Sequence, residues 1–146
     1  MIRALFPAAA LAACLASPAL ADADAAIKYR QNAMKAVGSQ IGSIVAILKG
    51  EVDNKAALAQ HAALMGAVTS TAITIPAFEP NTAGVDSRET TATANIWTEW
   101  AKFGEGLLAM EKAGQAVAVA GADVTFDEIK ELGATCKACH DDFREK

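Results

Sequence analysis

The residues best equipped for chemistry lie near the C-terminus, in the run Cys136-Lys137-Ala138-Cys139-His140. Two thiols three positions apart, with an imidazole directly after the second, form the signature of covalent haem attachment. Each thiol adds to one vinyl group of protoporphyrin, and two intervening residues set the sulfurs at about the separation of those vinyls. His140 is then held below the iron as an axial ligand. Tethering keeps the macrocycle in a domain too small to bury it by packing alone. Three other chemistries use the same residue types. A thioredoxin-like redox pair sits after a strand, at a helix start, and no strand pattern precedes Cys136. A zinc site needs four ligands; Cys136, Cys139, His140 and His61 would be the whole supply, and adjacent Cys139 and His140 chelate badly. A simple disulfide leaves His140 unexplained.

The elements that must position this motif read as helices. No period-two apolar alternation of useful length is present, and four segments show helical spacing. The first runs from about Ala25 to Lys49, with Ile27, Met34, Ile41 and Leu48 recurring every seven residues, Val37 and Ile44 between them, and Gly50 as a stop. The second runs from about Asn54 to Thr71, capped by Asp53, with Leu58, Ala62, Met65 and Val68 on one face. Pro76 forbids its continuation, and residues 75–87 read as an irregular connection, long for a bundle. The third runs from Arg88 or Thr90 to Ala120 on the stripe Ile96, Trp100, Phe103, Leu107, Met110, Gly114 and Val117. Glycines 104, 106 and 114 weaken it but permit close helix approach or room for a flat ligand. The fourth runs from Phe126 to Glu145, opened by a Thr125/Glu128 capping box. Phe126, Ile129, Gly133, Cys136, His140 and Phe143 follow one rhythm, which puts the motif on the buried face of a terminal helix. The predicted fold is all-α: an antiparallel four-helix bundle with haem attached to its last helix. Met65 and Met110 read as core, and His61 as an edge residue of the second helix.

The 146 residues suffice for one domain plus a leader. Arg3, the apolar run from Ala4 to Leu15 and the Ala19-Leu20-Ala21 site read as a signal peptide over residues 1–21, with a mature domain over 22–146. The run is too short and too interrupted for a stable membrane span. A rival reading makes Cys14, after Leu11-Ala12-Ala13, a lipid anchor. With Arg3 removed, 12 of the 13 basic residues remain against 17 acidic ones, a mature charge of −5. That balance argues against nucleic acid. It favours transient redox partner proteins with basic docking patches.

The stretch from Cys136 through Asp141-Asp142-Phe143-Arg144, at the very C-terminus, resembles class II cytochromes c, the cytochrome c-prime proteins and their low-spin relatives. Lys28-Tyr29-Arg30-Gln31-Asn32-Ala33-Met34 is similar to the start of that family's first helix. Phe78-Glu79-Pro80-Asn81-Thr82 and Asp86-Ser87-Arg88 resemble the loop before its third helix, and Ile96-Trp97 a motif within it. The resemblance spans essentially the whole mature chain. It implies one haem c with its iron, periplasmic location, frequent homodimers through the first two helices, and haem contacts from Arg30, Gln31 and Asp86. Arg144, four positions after His140, is expected on the same helix face, and it resembles a basic residue that flanks the proximal ligand in that family.

Met34 decides between two functions. By stripe position alone it reads as core; the resemblance makes it the sixth iron ligand, as in the low-spin branch. His140/Met34 ligation implies a one-electron carrier with no chemistry on a substrate, hence not an enzyme. The alternative is a five-coordinate, high-spin protein that binds nitric oxide or carbon monoxide. Trp97 and Phe143 read as packing around the porphyrin or core.

Overall fold

The computed structural model describes residues 18–86 and 88–145, with side chains from Ala23 onward. The leader and Cys14 lie outside the described residues, apart from the Pro18–Ala21 backbone. Six helices are present among the described residues: α1 (Pro18–Leu48), α2 (Leu58–Val68), α3 (Thr71–Phe78), α4 (Asn95–Thr98), α5 (Trp100–Ala120) and α6 (Phe126–Phe143). Single 3-10 turns at Lys55–Ala57 and Gly121–Asp123 lead into α2 and out of α5. The bundle closes in the order α1, α2 with α3, α5, α6, and back to α1. Cross-helix neighbours run in opposite directions. Gln40 meets His61 and Arg30 meets Ala77, Gly66 lies by Ala118 and Gly114 by Thr69, and Phe103 packs edge-on against Phe143. The bundle is therefore antiparallel.

The core is continuous and mostly aliphatic, with Phe78, Phe103 and Phe143 clustered within it. Ile44, Met65, Ile96, Phe103, Leu132 and Val117 are fully enclosed. Met65 and Met110 are buried, as their stripes predict. On α1 the buried seam is Ile27, Arg30, Val37, Ile44 and Ile47, while Met34, Ile41 and Leu48 sit half-buried at its edge. Of the seven-residue stripe, Ile27 lies at the centre of the buried face, while Met34, Ile41 and Leu48 mark its flank. On α5 the predicted stripe holds except at Trp100, which is exposed although its ring touches Phe103.

The helix boundaries depart from the sequence reading at several places. Asp53 does not cap the second helix, which opens through the 3-10 turn behind Asn54. Residues 75–78 are not irregular: Ser70 accepts from the Ala72 amide at 3.3 Å and starts α3, with Pro76 inside it. Proline costs a helix interior about 3 kcal/mol. Here its ring faces solvent, and burial of Thr74, Ala77 and Phe78 outweighs one lost backbone bond. Thirdly, residues 90–94 are not helical. Their β-branched threonines favour extended backbone, and Ala92 pairs with Arg144 as an isolated antiparallel bridge. The chain breaks again at Glu99 before α5 begins.

The capping box that opens α6 is present. Thr125 accepts from the Asp127 amide at 3.2 Å, and Glu128 takes the Thr125 amide at 2.9 Å. This fixes the register of the helix that carries the motif.

Candidate functional site

The motif occupies the last two turns of α6. Cys136 and Cys139 are free and half-buried, and His140 is exposed. The centre of the buried face is Ile129, Leu132 and Phe143, so Gly133 and Phe126 point outward and the motif runs along the margin of that face. Burial pushes both thiols above the usual cysteine range, and for Cys139 the neighbouring Cys136 and Asp142 add to the effect. A protonated, mid-helix pair is the opposite of an activated redox dithiol. Burial, and then the charge of Arg144, hold the His140 imidazole below its ordinary value, with Asp141 opposing. A neutral imidazole is the form that ligates iron.

Arg144 does not continue the helix face of His140. It leaves α6 in an extended conformation. The Thr93 amide donates to the Phe143 carbonyl at 3.0 Å, and the Glu145 amide to the Thr91 carbonyl at 2.8 Å. These bonds clasp the end of α6 to residues 91–93.

Across the bundle, α1 brings up Arg30. It is 3 % exposed, and its guanidinium lies between the rings of Phe78 and Trp97, 5.0 and 5.1 Å from their centroids. Nε donates to the Ala77 carbonyl at 3.2 Å. Nη2 donates to Thr82 Oγ1 at 3.0 Å and the Pro80 carbonyl at 3.4 Å. Trp97 is fixed in turn by its Nε1 donating to the Phe78 carbonyl at 2.8 Å. Nη1 of Arg30 is buried and has no hydrogen-bond partner among the described residues. All three acceptors are neutral, so the cation has no counter-charge among the described residues, and burial lowers its pKa. A buried cation left this way is costly unless an anion completes it.

The connection after α3 is tied to α1 at two further points. Gln31 Nε2 donates to the Glu89 carbonyl at 2.9 Å, and Arg88 grips Asp24 with two bonds at 2.9 and 3.1 Å. Asp86 is exposed on this connection and caps no helix. Met34 lies one turn beyond Arg30 on α1, half-buried against the core. His61 stays apart, bonded through Nδ1 to Gln40 Oε1 at 2.8 Å. Sequence reasoning missed Thr82 and the buried Thr93 hydroxyl, which has no partner among the described residues. Neither carries a local signal, because both are recruited by chain folding from a connection without periodicity.

These residues fit a tethered haem. Two free thiols and a histidine share one helix margin, and an uncompensated guanidinium waits for a carboxylate such as a propionate. Among the described residues no three His, Cys, Asp or Glu side chains converge as a metal cage.

Comparison with known proteins agrees. The family model described as Cytochrome C' matches residues 25–144. Cytochrome c' of Pararhodospirillum photometricum is 34% identical over 132 residues, covering 86% of this chain and 100% of the relative. The structure of cytochrome c' from Rhodobacter spheriodes superposes with a TM-score of 0.75 at 29% identity, covering 86% of this chain and 98% of that one. A nitric oxide complex of a variant of cytochrome c' from Alcaligenes xylosoxidans gives 0.69 at 26% identity, covering 85% and 96%. The chain belongs to the cytochrome c' family: it is a four-helix-bundle, haem-binding electron-transfer cytochrome whose iron is carried in covalently attached haem c.

Proposed function

We propose that Cys136 and Cys139 carry the haem through two thioethers, that His140 ligates its iron, and that the opposite face takes a diatomic gas, nitric oxide or carbon monoxide. The observation that carries the haem site is the buried Arg30 with its orphaned Nη1, which pairs with a propionate carboxylate. Gln31 and the backbone at Asp86 border the same group, since Gln31 and Arg30 both pin the connection onto α1. The gas reading draws on the cytochrome c' names of the relatives and on the nitric oxide complex of the Alcaligenes xylosoxidans protein. The protein performs one-electron exchange with transient partners and turns over no substrate.

One observation favours a second reading, in which Met34 is the sixth ligand. Its thioether sits at the edge of the core, one turn from Arg30, rather than inside the packed seam. Sulfur ligation there would raise the reduction potential and favour electron carriage over gas binding. The absorption spectrum separates the two. A five-coordinate, high-spin ferric protein whose ferrous form takes up carbon monoxide directly supports the gas reading. A low-spin spectrum with an iron–thioether band assigns Met34 instead. In that case Met34→Leu gives a high-spin, carbon monoxide-responsive spectrum, and an unchanged spectrum in that variant excludes the methionine.

We further propose that residues 1–21 direct export and that the mature domain, 22–146, works in the periplasm. Among the described residues no single helix is long and apolar enough to cross a membrane. The Ala19-Leu20-Ala21 site supports cleavage before Asp22.

A further inference from the structure

We infer that the outer groove between α5 and α6 is the docking window for a basic redox partner, placed over the sulfur of Cys139; this rests on the reading that Cys139 carries haem. The groove encloses about 490 Å³ and has Cys139 among its lining residues, whereas His140 is not among them. What opens it onto the sulfur is Gly106. This glycine lies in the interior of α5 and has no positive φ, so the backbone does not require it. A Cβ built there would lie 3.7 Å from Cys139 Sγ and 3.8 Å from its Cβ, which is ordinary contact. Packing therefore does not require glycine either, although it costs a helix interior about 1 kcal/mol relative to alanine. Its consequence is an uncovered flank beside the sulfur. Ala109, Ala134 and Ala138 keep the rest of the groove low, so a partner surface can approach closely.

The charge of the groove selects the partner. Glu105, Glu131 and Asp142 face Lys102, which leaves two net negative charges. Lys102 is already held by Asp142 at 3.0 Å and Glu99 at 3.5 Å. On the adjoining surface of α6, Lys137 and Asp141 compensate one another. Glu105 and Glu131 are exposed and are the charges an incoming basic patch would meet. Such complementarity raises encounter rates and fixes orientation.

The test uses the haem-loaded protein in its ferrous form. One electron leaves it to reduce a cobalt(III) complex to cobalt(II), the protein becoming ferric, with no bond or proton moved. The cationic oxidant is tris(phenanthroline)cobalt(III), and ferricyanide is the anionic one. Glu105→Lys with Glu131→Lys should slow the cationic oxidant about five-fold or more at low ionic strength and speed ferricyanide, both effects shrinking as salt screens them. Glu51→Lys with Asp53→Lys, the same charge change outside the groove, should do markedly less. Gly106→Leu should slow both oxidants without altering the absorption spectrum or the midpoint potential. The inference is overturned if the two charge reversals behave alike, or if Gly106→Leu leaves both rates unchanged. A chain that carries no covalent haem overturns the parent reading instead, and the spectrum and mass of the starting protein report that separately.

Discussion

Gly114→Ala should lower the stability of the protein by about 2–3 kcal/mol, against the usual helix gain of about 1 kcal/mol from replacing glycine. A Cβ at residue 114 would fall 2.0 Å from Thr69 Oγ1, 2.8 Å from its Cβ and 2.9 Å from its Cγ2. Thr69 cannot swing away. It is fully buried, and its hydroxyl donates to the Met65 carbonyl at 2.8 Å and approaches the Gly66 carbonyl at 3.3 Å. Either α2 and α5 separate, or Thr69 gives up its bond at the joint between α2 and α3. That joint matters beyond packing, since α3 presents the Ala77 carbonyl to Arg30. Thermal unfolding should fall by roughly 5–12 °C. Thr69→Ala in the same chain should recover part of the loss, a non-additive result expected of side chains in contact. Gly38→Ala, where nothing lies within 4 Å, should instead raise stability by about 0.5–1 kcal/mol. Equal effects at the two positions would contradict the close approach of α2 and α5.

Arg30→Leu should lower the midpoint potential by tens of millivolts and destabilise the haem-loaded protein by about 3 kcal/mol or more. Two causes act together. The neutral acceptors at Ala77, Pro80 and Thr82 lose their donor in a buried place, and each unsatisfied group costs about 1–3 kcal/mol. The carboxylate proposed to face Nη1 loses its counter-charge as well. Removal of a positive charge beside the haem favours the ferric state, so the potential falls. Spectroelectrochemistry with thermal unfolding of the same variant checks both. A potential that stays in place while stability drops would confine Arg30 to holding the connection and remove it from the haem.

Much of this site is legible in the residues alone, and what is not has identifiable physical causes. The haem motif depends on spacing within one helix, and local spacing survives folding. The same holds for the Thr125/Glu128 capping box and for Phe103, Leu107, Met110, Gly114 and Val117 on α5. The role of Gly114 as a close-approach residue follows from that stripe, but its partner Thr69 does not, because that contact joins distant segments. Pro76 was expected to end a helix; Ser70 restarts one before it, and burial of Phe78 then overrides a local rule. Arg144 was expected on the face of His140 by helical counting, yet a bridge to Ala92, fifty-two positions away in sequence, draws it out of the helix. The stacking of Arg30 between Phe78 and Trp97 likewise assembles three segments and leaves no mark in any one of them.

The most direct measurement is the mass of the mature chain purified from the periplasm and freed of loosely held groups by acidified organic solvent. The account predicts a polypeptide starting at Asp22 plus one haem that denaturation does not remove, and its loss when Cys136 and Cys139 are both changed to alanine. A wild-type mass equal to the bare polypeptide would contradict it.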